Sequence, residues 1–147
     1  MNYFEINQYL EKPVFKIFRM DNPALPISFL YKEFKIKGRV VIDEDNLEQN
    51  LIFYAQGIQN DYQKNLDIKD PSILLNEWSN KGFLRRTAPF GKIQREYELT
   101  PAIEKVFLFL EDSNKKEFIG TESRLLKIFD LLKEISFFID SISQIFY

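Results

Sequence analysis

The sequence predicts a mainly α-helical domain with a small antiparallel β-sheet, and two stretches predict it. Residues 70–110 read as helix, β-hairpin, helix. Residues 22–62 read as helix, short β-branched strand, helix. In chain order these give helix, strand, helix, helix, strand, strand, helix. That is the order of a winged helix-turn-helix domain, here flanked by short N-terminal helices and a long C-terminal helix.

Tyr3–Leu10 and Val14–Phe18 read as two short helical turns divided by Pro13. Asn22-Pro23 opens the next helix, and Pro26 falls in its first turn, where backbone N–H groups lack partners anyway. Leu25, Phe29, Leu30 and Phe34 give this helix a buried face, and Gly38 ends it. Arg39–Ile42 is a β-branched run and the expected first strand, paired with the hairpin. Asp45 and Glu48 have the spacing of a capping box. Leu47, Leu51, Tyr54, Ala55, Ile58 and Tyr62 then mark one helical stripe, and Gln59–Lys69 finishes the helix and makes the loop.

Asp70-Pro71 combines a capping carboxylate with a proline at the first helical position, and Gly82 is the stop. Phe83–Ala88 and Ile93–Leu99 are the hairpin strands around a turn at Pro89-Phe90-Gly91-Lys92. Thr100-Pro101 repeats the cap-plus-proline signal. Glu111–Glu117 is a polar break, and Thr121-Glu122 starts the last helix, with Glu122 suited to the positive end of its dipole. Its apolar face runs through Leu125, Ile128, Phe129, Leu132, Ile135, Phe138 and Ile139, widened by Leu131, Ile142, Ile145 and Phe146. The expected division is an N-terminal helical extension over 1–22, a winged-helix domain over 23–112 and the start of a further helical region over 113–147. Because the sequence stops on an uncapped apolar helix, it reads as the front part of something longer, either excised or a truncated stand-alone form.

Composition narrows the chemistry. There is no Cys and no His, which removes disulfides, thiol nucleophiles and imidazole bases. No acid–base constellation or glycine-rich phosphate loop replaces them, and Asp43-Glu44-Asp45 is explained by a helix start. The expectation is therefore no enzyme, no cofactor and no metal. No signal peptide or membrane span is read, which fits a cytoplasmic setting. The net charge of −2 excludes bulk polyanion binding, so any nucleic-acid contact has to come from a local patch.

That patch is Lys81, Arg85, Arg86, Lys92 and Arg95 around the hairpin, placed to meet DNA phosphates; Glu96 and Glu98 offset part of it. The helix over Ser72–Lys81 is poor in basic residues, which argues against base-specific reading. The second candidate is a partner-binding helix: Glu122, Arg124, Leu125, Ile128, Phe129, Leu132, Ile135 and Phe138. Its apolar face is wider than one small domain covers, so a helical partner or self-association is expected beside an ordinary core role.

Four segments together resemble a known family. They are Asp21-Asn22-Pro23-Ala24 with Phe29-Leu30, Leu75 with Trp78, Tyr97-Glu98-Leu99-Thr100-Pro101, and Phe118-Ile119-Gly120-Thr121-Glu122-Ser123-Arg124-Leu125-Leu126. Their order and spacing are similar to the N-terminal region of the bacterial DUF3375 proteins, the JetA subunits of Wadjet plasmid-defence systems, over roughly residues 1–135. The last segment is the most distinctive. JetA subunits are similar to the condensin kleisin MukF. The resemblance implies a kleisin that joins an SMC-type ATPase and a small winged-helix accessory subunit in a DNA-loop-extruding, condensin-like complex. With a nuclease subunit, that complex cleaves circular plasmids. It further implies that Arg39–Leu110 forms a homodimerising body and that Thr121–Ile139 begins the region leading to the SMC contact. Full-length relatives continue well beyond this stretch, and Ser136–Tyr147 is more apolar than their pattern.

The function expected from these readings is a non-enzymatic scaffold and dimerisation domain, with DNA contacted indirectly or without regard to sequence and no membrane partner. The rival is an independent winged-helix transcriptional regulator. A factor that only binds a coiled coil is a third class.

Overall fold

A computed structural model describes residues 1–62, 66, 68–115 and 121–146, with the side chains of 62, 121–126, 141–143, 145 and 146 excepted. The element order is α1 (Tyr3–Leu10), α2 (Pro13–Lys16), a 3₁₀ turn (Ile17–Arg19), α3 (Ala24–Leu30), a π-helical turn (Tyr31–Ile36), β1 (Ile42–Asp43), α4 (Glu44–Tyr62), α5 (Pro71–Asn80), β2 (Leu84–Thr87), β3 (Glu96–Leu99), α6 (Pro101–Lys115) and α7 (Thr121–Phe146). The protein is thus mainly helical, with one three-stranded antiparallel sheet in the order β1-β3-β2. β1 pairs with the hairpin through β3, as the sequence leads one to expect. Among the described residues no helix is long and apolar enough to cross a membrane.

The sheet register places Ile42 opposite Tyr97 and Tyr97 opposite Arg86. Ile42 and Tyr97 point inward with Leu84, onto a core of Phe29, Leu47, Leu51, Leu75, Trp78, Phe83, Ile103 and Phe107, all 3% exposed or less. Phe29 lies at its centre, 5.4 Å from the Tyr54 ring and 6.2 Å from the Trp78 ring. Val14 and Ile17, from the N-terminal extension, are buried in the same core.

Most helix starts follow the sequence signals. Asn2 caps α1, accepting from Glu5 N–H at 2.9 Å. Asp70 caps α5, accepting from the N–H of Ser72 at 3.0 Å and its hydroxyl at 2.6 Å. Thr100 accepts from Ile103 N–H at 3.4 Å and donates to the Gly82 carbonyl at 2.6 Å, so one side chain starts α6 and closes the end of α5.

Four boundaries differ from expectation. The turn read as Val14–Phe18 is α2 over Pro13–Lys16 followed by the 3₁₀ turn Ile17–Arg19, and Pro13 divides it from α1 as its first residue. The first strand is Ile42–Asp43, not Arg39–Ile42. Gly38, at φ 65°, and Arg39, whose N–H reaches back to the Phe34 carbonyl at 2.9 Å, are used in closing the preceding helix. The cap of α4 is Asp43 rather than Asp45: Asp43 accepts from Asn46 N–H at 3.1 Å, while the Asp45 carboxylate faces Gln94. The polar break expected over Glu111–Glu117 is helical through Lys115, and the Ser113 hydroxyl is turned back onto the helix, donating to the Phe109 carbonyl at 2.9 Å. Lys116–Gly120 lie outside the described residues, and with them the first three residues of the distinctive segment at 118–126.

A candidate nucleic-acid and partner interface

The hairpin strands end at Thr87 and begin again at Glu96, leaving a hairpin loop over 88–95, longer than the four-residue turn read from sequence. The turn itself forms: Lys92 N–H donates to the Pro89 carbonyl at 3.2 Å, and Gly91 takes φ 79°. Two contacts brace the loop on α4. The Arg95 carbonyl accepts the free N–H of Glu44 at 2.9 Å, and Gln94 Nε2 donates to Asp45 at 2.5 Å.

The five cations singled out from the sequence share this region unequally. Lys81 pairs with Glu77 one turn back on α5, at 2.7 Å. Arg85 meets its cross-strand neighbour Glu98 at 3.3 Å, and Lys92 meets Glu96 at 2.6 Å. Arg86 sits cross-strand from Tyr97. Burial pushes the Tyr97 phenol above its ordinary range, and the Arg86 guanidinium partly opposes that rise. The Tyr97 hydroxyl is nonetheless buried with no hydrogen-bond partner among the described residues. Arg95 is exposed, and no carboxylate lies within ion-pair distance of it among the described residues. In each hairpin pair the cation faces outward: Arg85 and Lys92 are 71% and 64% exposed, against 32% and 18% for Glu98 and Glu96. The sequence reading that the glutamates offset the patch holds for charge but not for the surface a partner would meet.

The outward side of α5 differs from the sequence reading of a mostly apolar or acidic helix. Glu77 is taken up by Lys81, and the exposed residues are Ile73, Asn76 and Asn80, at helical spacing on one side. Two carboxamides are therefore offered to solvent there.

The second candidate surface is α7. Ile135 packs on the core and Ile139 is buried, so this part of the face is structural. Ile128 and Leu132 are half-buried, and Phe129 and Phe138 are exposed. Lys105 Nζ on α6 stands 3.1 Å over the Phe138 ring, and burial lowers the Lys105 ammonium below its usual value. Between α6 and α7 lies a cleft of about 400 Å³ lined by Leu108, Phe109, Leu131, Ile135 and Phe138 and rimmed by Lys105, Glu111 and Glu134. The Tyr9 hydroxyl hydrogen-bonds Asp140 and ties α1 to α7. The side chains of Glu122, Arg124 and Leu125 lie outside the described residues.

Residues 8–140 match the family described as a protein of unknown function, DUF3375. The chain belongs to the DUF3375 family. An uncharacterized protein of Mycolicibacterium smegmatis is 29% identical to it over 138 residues, covering 92% of this chain and 29% of the relative. The chain thus spans under a third of that relative's length.

Sequence reasoning missed three features of this DUF3375 chain. Glu33, 2% exposed, accepts from Lys37 Nζ at 2.8 Å and Asn50 Nδ2 at 2.9 Å. The π-helical turn that carries Glu33 has no sequence signature of its own. The third is the hairpin tip, where Phe90 and Ile93 are fully exposed. Their presence in a Pro–Gly turn between polar residues was the available signal.

Proposed function

We propose that this chain is the N-terminal scaffold part of a JetA-type kleisin in a Wadjet SMC complex. It would act without catalysis, by symmetric self-association of the body spanning β1 to α6. Thr121–Ile139 would lead toward a coiled-coil partner, an SMC-type ATPase. What supports this reading is membership of DUF3375 together with the element and strand order, helix, β1, α4, α5, β2, β3, α6 with β1 beside β3. The single observation that weighs most is the condition of the cations. Lys81, Arg85 and Lys92 already have carboxylate partners, which suits weak, sequence-independent phosphate contact rather than a dedicated operator grip.

One observation favours the rival regulator. Asn76 and Asn80 sit one helical turn apart on the exposed side of α5, and a carboxamide can pair bidentately with adenine in the major groove.

Sedimentation velocity of the purified chain across a wide concentration range, with and without labelled duplexes, separates the two. A dimer that ignores DNA or binds every duplex alike is the expected result. Tight co-sedimentation with a subset of sequences, abolished by Asn76→Ala and Asn80→Ala, would replace the scaffold with the regulator. A monomer indifferent to DNA would remove self-association and leave coiled-coil binding.

A further inference from the structure

Phe90 and Ile93 are the most exposed large apolar side chains among the described residues, at 106% and 103% of full exposure. They belong to a loop whose stem is fixed, by Gln94 to Asp45 at 2.5 Å and by the Arg95 carbonyl to Glu44 N–H at 2.9 Å. The tip is therefore held out on a braced stem, and less ordering entropy remains to be lost on binding. Lys92 lies between the two apolar residues in the chain, Arg85 is on β2 and Arg95 is at the stem. The first two expose more of themselves than their glutamate partners do, and Arg95 has no carboxylate within ion-pair distance among the described residues. Lys92 and Arg85 are the exposed halves of their pairs and Glu96 and Glu98 are largely covered, so each cation can reach a phosphate while keeping its glutamate. Toward α4, Asp43 accepts from Asn46 N–H and Asp45 from Gln94, hydrogen bonds that leave both negative charges in place, so the phosphate contacts fall to Lys92, Arg85 and Arg95.

We propose that the hairpin tip is a minor-groove wedge for duplex DNA, with Phe90 and Ile93 entering at a base step while Lys92, Arg95 and Arg85 take the flanking phosphates. An apolar side chain inserted between base steps partly unstacks them and kinks the duplex by roughly 20–90°. The minor groove is about 6 Å wide and admits a loop tip where it excludes a helix. Area decides against a protein partner. A stable protein interface buries about 800 Å² on each side, more than two side chains supply. A lipid surface is disfavoured on the same ground, since stable anchoring takes a larger apolar insertion. For DNA, two side chains suffice, because flanking cations supply the affinity and the wedge supplies the bend. The wedge needs no base-specific contact. It selects deformable pyrimidine–purine steps instead.

The test is fluorescence-detected bending and binding of end-labelled duplexes carrying a central TA step, over a range of salt. The wild-type chain is expected to bend the duplex by at least about 20°. The variant Phe90→Ala/Ile93→Ala should lose the bend and about tenfold in affinity, with the salt dependence unchanged; Phe90→Trp should keep the bend. Arg95→Ala should keep the bend and lower the logarithmic salt slope by about one. Thermal melting checks that each variant folds, which solvent-exposed positions favour. Equal bending and affinity in the double alanine variant would overturn the wedge. So would binding to phosphatidylserine vesicles without binding to duplex, or no duplex binding at all. In the last case an intact dimer in sedimentation would leave the scaffold reading standing while the wedge falls.

Discussion

A β-carbon placed on Gly82 would stand 2.9 Å from Cγ of Pro13. With no side chain of its own, Gly82 lets the end of α5 approach the start of α2 this closely, and it also holds φ at 88°, where other residues are strained. Gly82→Ala is therefore expected to destabilise the fold by about 2–4 kcal/mol, from backbone strain and steric overlap together. The double variant Pro13→Ala/Gly82→Ala should recover about 1 kcal/mol of that, since it removes the overlap with Cγ and leaves the 3.2 Å approach to Cβ and the strain. Urea unfolding of the single and double variants gives the coupling, and strict additivity would show that the Pro13 ring is not in the way.

Glu33 carries a charge into an otherwise apolar interior and is tolerated because both carboxylate oxygens are occupied. Asn50 is the partner whose loss water replaces least easily, since Lys37 is a third exposed and Glu33 nearly enclosed. Asn50→Ala should cost about 1–3 kcal/mol by leaving one oxygen unsatisfied. Glu33→Gln/Asn50→Ala should cost less than the sum of its two single changes, because no buried carboxylate is then left half-paired. Chemical denaturation of the three variants checks the ordering.

Glu48 on α4 has its carboxyl held above its ordinary value of 4.5, first by burial and then by the charges of Glu44, Asp45 and Asp70. Above that ordinary value the folded chain keeps a proton that the unfolded chain has released. Stability therefore falls as pH rises from 4.5 to the raised folded value, and stays lower beyond it. Glu48→Gln should stabilise the protein at pH 7 and change little near pH 4. The side chain is partly exposed, so screening keeps the gain below about 1 kcal/mol. Urea midpoints of wild type and variant at the two pH values test the sign; a loss at pH 7 would contradict it.

The elements that could be read from sequence are those written in local chemistry. Asp70-Pro71, Thr100-Pro101 and Gly82 place α5, β2 and α6 correctly, because each signal acts within one turn of the chain. The position of β1 and the cap of α4 differ from the sequence reading by a few residues. The strand is fixed by pairing with Tyr97, and Asp43 rather than Asp45 then lies at the helix entrance; neither relation is local. The site was legible as a list of cations, since charge is visible in sequence. Which half of each ion pair faces outward depends on the hairpin register, Arg85 opposite Glu98, and so was hidden. On α7, core and surface residues share the same chemistry. Only the packing of Ile135 and Ile139 separates them from Phe129 and Phe138.

That separation predicts a helix less firmly held than the body. Ile139 and Ile135 anchor α7 to the interior, and among the described residues Lys105 over the Phe138 ring and the Tyr9–Asp140 hydrogen bond add to that hold. Partly buried cation–π contacts and hydrogen bonds are each worth about 1–2 kcal/mol, well below the stability of a whole domain. α7 should therefore open as its own unit, at a free energy below that of global unfolding. Native-state hydrogen exchange should show α7 amides exchanging faster than those of α4 and α5. Tyr9→Phe/Phe138→Ala should speed α7 further by about one to two orders of magnitude, with α4 and α5 unchanged. Ile139→Ala, which creates a cavity at the seam, should do the same more strongly, at about 2–5 kcal/mol. If α7 amides exchange only with the rest of the molecule in all of these variants, the helix is an integral part of the core and not a separable partner-binding arm.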